Sequence, residues 1–168
     1  MKRLLLIFTF ALMIGTGVCY SQIPRLFTSD KLSSNLITCI CQDKAGYLWI
    51  GTEYGLNKFD GYRFTTYLHD DADTTTVNDN SITSLFVDRN GNLIVGSSQG
   101  ASVYDYDNNC FHVLRNRYNP KPHFSHFLQF TDGKILACTA EFGLFTVNIE
   151  TMTLIPFGKF VPNNTENF

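Results

Sequence analysis

A chain of 168 residues, 44% of them hydrophobic, holds enough apolar material for one globular domain. Its formal net charge of −2 gives no basis for a nucleic-acid or anionic-membrane partner. Aromatic residues reach 14%, led by 15 Phe and 8 Tyr, which favours strands.

Residues 1–21 read as a secretory signal peptide. Lys2 and Arg3 precede an apolar run from Leu4 to Ile14, then small residues and "CYSQ", with cleavage expected after Ser21. An uncleaved membrane anchor is the alternative, but the run is short for a spanning helix. A lipoprotein site at Cys19 fits less well, because Val18 stands where a small residue is expected. The mature chain is therefore expected in the periplasm, beginning with a lead-in at 22–35. Export permits disulfides. Cys39 and Cys41, however, project from the same face of one strand and cannot bond each other. No Cys-x-x-Cys pair suggests zinc, so Cys39, Cys41, Cys110 and Cys138 read as small buried hydrophobes.

The next segment, "DKAGYLWIGTEYGLNKFDG" (43–61), returns 45 residues later as "DRNGNLIVGSSQGASVYD" (88–105). Asp43 maps to Asp88, Gly46 to Gly91, Gly51 to Gly96, Gly55 to Gly100 and Asp60 to Asp105; Trp49 falls on Ile94. The flank repeats too, "NLITCICQD" (35–43) against "NSITSLFVD" (80–88). A third copy, "TDGKILACTAEFGLFTVN" (131–148), keeps Gly133 and Gly143 at a spacing of 42 from Gly91 to Gly133. It has one extra residue before Gly143. A recurrence of this length decides architecture.

Each copy predicts four short strands. They are 36–42, 47–52, 55–60 and 63–68; then 81–87, 92–97, 101–105 and 110–114; then 124–129, 134–139, 143–148 and 153–157. Asp-x-x-Gly, a glycine, and "DG" or "DNN" divide them. Ile37, Ile40, Leu48 and Ile50 place apolar side chains on both faces, which predicts sheets sandwiched between neighbours. The expected fold is all-β, an incomplete β-propeller of about three four-stranded antiparallel blades at 36–69, 80–115 and 122–158, with a flexible tail at 159–168. A solenoid or sandwich is the alternative. Solenoid repeats are shorter, and a sandwich gives no reason for the echo.

The stretch "LSSNLITCICQDKAGYLWIGTEYGLNKFDGYRFTTY" (32–67) resembles the two-component regulator propeller repeat, and the resemblance extends over about 26–157. The second copy departs at Ile94 and Ala101. The third has Phe130 in place of the turn Asp and Cys138 in place of the core Gly. The resemblance implies the exported sensor region of a hybrid two-component system for glycan breakdown products. It implies an oligosaccharide ligand and a membrane connection only through a downstream part carrying the kinase. The chain itself is then non-catalytic and needs no cofactor. Three blades do not close a ring of about four to eight. A truncated product or fragment is therefore expected; otherwise further blades or a second chain complete the ring.

Candidate chemistry is weighed against turn structure. Asp43, Asp88, Asp60 and Asp105 occupy positions where a turn wants a side-chain acceptor. Asp70, Asp71, Asp73 and Asp79 offer calcium-type oxygens but lack a glycine-bent loop, and read as a solvated linker. His123 and His126, three apart on a strand, face opposite sides and form no metal pair. Residues 114–124 read as a basic linker, and the sequon at Asn163 carries no role. Tyr47, Tyr54, Tyr62 and Phe142 near turns are candidates for stacking on sugars, against a packing role for each. The ligand-binding residues are otherwise unassigned. A propeller lyase or glycosidase would need two carboxylates converging within about 5–10 Å, and a docking scaffold would use the open blade faces.

Overall fold

The computed structural model describes residues 31–116 and 121–158. The expected signal peptide, most of the lead-in, and the tail at 159–168 lie outside the described residues. Among the described residues, twelve strands form three four-stranded antiparallel meanders. The first sheet comprises β1 (Ile37–Gln42), β2 (Leu48–Thr52), β3 (Gly55–Phe59) and β4 (Phe64–Tyr67). The second comprises β5 (Ile82–Val87), β6 (Leu93–Ser97), β7 (Gly100–Asp105) and β8 (Cys110–Val113). The third comprises β9 (Phe124–Gln129), β10 (Ile135–Thr139), β11 (Leu144–Asn148) and β12 (Thr153–Pro156). The sheets are propeller blades stacked face to face, with β5 against β1 and β2, and β9 against β5 and β6.

Period-2 alternation explains the stacking. In β6, Leu93 and Val95 turn toward the first blade and join a core with Trp49, Leu56, Ile82, Tyr104 and Phe111. Ile94, between them, turns the other way and joins Ala101, Val103, Phe124, Ala137 and Phe145. The middle blade is buried on both faces, as a sandwiched sheet must be. Each fully buried Leu, Ile or Phe contributes about 1.5–3 kcal/mol of transfer free energy, so these two seams hold the arc together.

Two repeated details set the blade spacing. A Cβ on Gly51 would lie 2.5 Å from Cys39 Sγ and 2.7 Å from Ile82 Cγ2, and one on Gly96 would lie 3.0 Å from both Phe124 Cβ and Phe127 Cε2. Ser84 Oγ comes closer still to Gly96, so each glycine is hemmed in both by a side chain of its own blade's first strand, Cys39 or Ser84, and by the first strand of the next blade. Thr38 Oγ1 donates to the Ile82 carbonyl at 2.7 Å, and Thr83 Oγ1 donates to the Phe124 carbonyl at 2.5 Å. The Ile-Thr step shared by the two flanks thus latches each blade to its successor.

Four sequence expectations need correction. Ile37 and Ile40 are not buried, being 56% and 62% exposed. Cys39 and Cys41 face the second blade, while Ile40 turns to the opposite side, which no sheet covers among the described residues. A bulge between Ile37 and Cys39 also shifts the β1 register. The cysteines are half-buried free thiols rather than fully buried hydrophobes. The linker at 70–79 is not simply solvated, since Val77 is wholly buried in the first seam and the Thr75 carbonyl accepts from Phe111 N at 2.8 Å. The basic linker is likewise engaged. Arg115 bridges Thr153, its N–H donating to the Met152 carbonyl at 2.8 Å and its carbonyl accepting from Leu154 N at 2.9 Å.

Candidate functional site

The repeated acidic and glycine positions build turns. In the first turn of each blade, the N–H groups of Gly46, Gly91 and Gly133 donate to the carbonyls of Asp43, Asp88 and Phe130 at 3.0–3.1 Å. All three glycines have φ between +90 and +97, the left-handed region where a Cβ is disfavoured. Asp88 Oδ1 accepts from Asn90 N and Asn92 N, both at 2.8 Å. Where Phe130 replaces the Asp, the third turn takes its side-chain acceptor from another position, Asp132 Oδ1 accepting from Lys134 N at 3.0 Å. Asp60 and Asp105 do the same work two strands later. Asp60 Oδ1 accepts from Tyr62 N and Arg63 N, and Asp105 Oδ1 accepts from Asp107 N and Asn108 N. Bonds from the Arg63 and Tyr62 N–H groups hold the Asp60 carboxyl below its ordinary range.

A further repeated clamp was not apparent in the sequence. Thr52, Ser97 and Thr139 hydroxyls donate to the carbonyls of Gly55, Gly100 and Gly143 at 2.8–2.9 Å, closing the middle hairpin of each blade. The same oxygens accept from Tyr54 N, Gln99 N and Phe142 N. The signal was a hydroxyl residue directly after the core position, Gly51, Gly96 or Cys138.

Asp43 does more than close its turn. It is 5% exposed, and its Oδ1 accepts from Tyr47 N at 2.9 Å. Its Oδ2 accepts from Trp49 Nε1 at 2.7 Å and from Tyr106 Oη, on the second blade, at 2.9 Å. A buried carboxylate is tolerable only with such donors. Burial, then the bond to Asp43, push the Tyr106 hydroxyl above its ordinary range, so it stays a donor.

Between the first two blades lies a cavity of about 210 Å³ lined by Tyr47, Lys58, Asp60, Thr65, Tyr67 and Asn109. Register explains the convergence. Lys58 on β3 sits between Trp49 on β2 and Thr65 on β4, so all three side chains share the face toward the second blade. Lys58 Nζ stands 4.0 Å from the centre of the Tyr47 ring and 5.2 Å from those of Trp49 and Tyr104. Tyr67 and Tyr104 hydroxyls both donate to Asn109 Oδ1, at 2.7 and 2.6 Å. Asn109 itself has φ +53 in the turn between β7 and β8. Burial pushes the Tyr104 hydroxyl up to about 12, so the phenols remain protonated near neutrality. Of the aromatics proposed for stacking, Tyr47 lines this cavity and Tyr54 and Tyr62 are exposed elsewhere. Phe142 packs against the second seam.

Two other places merit description. A hollow of about 350 Å³ at the outer edge of the second and third blades is walled by Val113, Leu114, Pro122 and Leu154. Asp105, Cys110 and His112 offer donor atoms within 4.8 Å of one another, three of the four a tetrahedral metal takes. The trio already has an internal explanation. Asp105 Oδ2 accepts from Asn108 Nδ2 at 2.8 Å and meets His112 Nε2 at 3.2 Å, fastening the hairpin.

Residues 31–54 and 76–99 match the family model described as two component regulator propeller. Histidine kinase P4 of Formosa agariphila is 48% identical over 48 residues, 29% of this chain and 4% of that protein. The extracellular domain of the hybrid two component system BT3049 from B. thetaiotaomicron superposes with a TM-score of 0.69 at 26% identity, covering 79% of this chain and 20% of that one. The chain thus spans about a fifth of the solved domain it matches and a small fraction of the kinase.

Proposed function

We propose that the chain is a segment of an exported sensory propeller in a hybrid two-component system, recognising a saccharide and leaving it chemically unchanged. The observation that carries this reading is the likeness to the extracellular domain of BT3049 over 79% of the chain. The likeness to a histidine kinase is consistent with a signalling output located elsewhere. The architecture suits recognition, because latched, glycine-spaced blades make a rigid frame while the turns between strands vary. Asp43, Asp60, Asp88 and Asp105 each accept at least two turn or cross-blade hydrogen bonds, which favours structural over acid–base work for them.

A second reading, assembly with further blades or a second chain, is favoured by the outer faces. Ile40 on the first blade and Leu128 and Ile155 on the third are more than half exposed. The test is to express the full 168-residue chain with its N-terminal segment and recover it from the periplasmic fraction. Its melting temperature is then measured against a panel of neutral and acidic oligosaccharides. Saturable stabilisation without release of reducing ends supports the sensory reading. Cytosolic retention, or turnover of the saccharide, overturns it, and light scattering on the same sample reports assembly.

A further inference from the structure

Lys58 breaks the repeat. Its equivalents are Val103 and Thr146, and Val103 is a buried member of the seam between the second and third blades. At the same station of the first seam the chain instead holds an ammonium against aromatic rings. Cation–π contact stabilises such a group, but Lys58 has little else. Among the described residues its one hydrogen bond runs to Tyr104 Oη at 3.4 Å. The ion pairs among the described residues are Arg63–Asp60, His69–Asp71 and His112–Asp105, none of which involves Lys58. Packing alone would have been served by an apolar residue, as at Val103.

The surrounding groups complete a donor-rich cradle. Asn109, which lines the cavity, uses its Oδ1 to accept two phenols, and among the described residues its Nδ2 has no hydrogen-bond partner. The Thr65 hydroxyl lines the cavity, and Tyr47 and Tyr67 supply aromatic surface. Asp60, the acidic liner, is engaged by its own turn, with Arg63 Nε 4.0 Å from Oδ2. About 210 Å³ is below the roughly 300–1,000 Å³ of sites for drug-sized ligands, so the cavity takes one sugar ring.

We infer that this cavity is a binding site for a negatively charged sugar unit, a hexuronate. Its carboxylate is held by Lys58 Nζ and Asn109 Nδ2, and its ring lies against Tyr47 and Tyr67. The inference rests on the saccharide-sensing reading and adds to it the site and the charge of the ligand.

The chain's single tryptophan provides the test, since the Trp49 ring lies 5.2 Å from Lys58 Nζ. Its emission is titrated in the full chain with sodium D-glucuronate, D-glucose, sodium acetate and sodium sulfate at constant ionic strength. The expected result is a saturable change with glucuronate. Glucose and the two inorganic or simple anions bind at least about tenfold more weakly, and K58M loses about 10- to 100-fold, the loss expected for one charge-assisted hydrogen bond. K58R retains affinity within a few-fold, and K58M melts within a few degrees of the parent, because Met fills the aromatic basket. Equal binding of acetate or sulfate, or glucuronate binding untouched by K58M, overturns the inference. Neutral oligosaccharides stabilising the protein while glucuronate does not would overturn it and leave the sensory reading standing. Failure of every saccharide removes both.

Discussion

Replacing Gly51 by Ala tests the blade spacing most directly. Gly51 is not in the left-handed region, so a methyl group brings no backbone strain, and in an open strand the change would stabilise by about 0.5–1 kcal/mol. Here the methyl meets Cys39 Sγ at 2.5 Å and Ile82 Cγ2 at 2.7 Å. The thiol can swing to another rotamer. Ile82 cannot, being wholly buried and β-branched. Restoring an ordinary contact of 3.4 Å from 2.7 Å moves the second blade by about 0.7 Å. Overpacking of this kind costs about 1–3 kcal/mol. Subtracting the strand gain leaves about 0–2.5 kcal/mol, or a melting temperature lower by up to about 10 °C. Urea unfolding followed by Trp49 emission is the assay, because Trp49 is buried in the same seam. The double variant G51A/C39A should recover only part of the loss, since the Ile82 contact persists. A G51A protein more stable than its parent would show that the blades do not approach as described.

Other outcomes follow from the same contacts. W49F removes the Nε1 donor from a nearly buried Asp43 carboxylate and should cost about 2–4 kcal/mol, read by circular dichroism in urea. T52V and S97A each break one hairpin clamp and should cost about 1 kcal/mol, whereas a surface change such as K134Q should cost less than about 0.5 kcal/mol. The bond to the Val77 carbonyl, and then Asp71, raise the His69 pKa. Its charged form therefore stabilises the fold fully below the unfolded value of about 6.5, and that share is lost as pH rises through the higher folded value. Melts at pH 6 and pH 8 should differ more for the parent than for H69Q. Burial raises the Cys39 thiol and pushes Cys41 up to about 12, so alkylation of the native protein at pH 8 should run at least about tenfold slower than in urea.

The fold was legible because repetition removes ambiguity that a single strand leaves. Every observed strand falls within a residue of its expected bounds, since the dividing glycines at Gly46, Gly55, Gly91, Gly100 and Gly133 have positive φ and can hardly be moved. What the sequence could not give was which side of an outer blade is covered, and Ile37 and Ile40 were misplaced for that reason. The cavity was only half legible. Tyr47 stood out as an aromatic beside a turn. Lys58 did not, because aligning repeats directs attention to matches, and its meaning lies in failing to match Val103 and Thr146. Asn109 needed the chain folded, since it meets Tyr67 across 42 residues of sequence.

The third copy turns the spacing argument into an internal comparison. Gly51 and Gly96 each face the first strand of the next blade, Ile82 in one case and Phe124 in the other, and each leaves no room for a side chain. At the equivalent station of the third blade stands Cys138, half-buried, in a strand that still pairs with β9 and β11. No sheet packs beyond it among the described residues. The hairpin that follows keeps its clamp, Thr139 Oγ1 donating to the Gly143 carbonyl at 2.8 Å, so the blade's own construction does not need the glycine. The glycine answers the neighbouring blade together with the Cys39 or Ser84 side chain beside it. C138V should therefore change stability by less than about 0.5 kcal/mol, while valine at Gly51 or Gly96 should disrupt the seams. A C138V loss comparable to that of G51A would mean that the glycine serves the strand itself, and the account of blade spacing would fail with it.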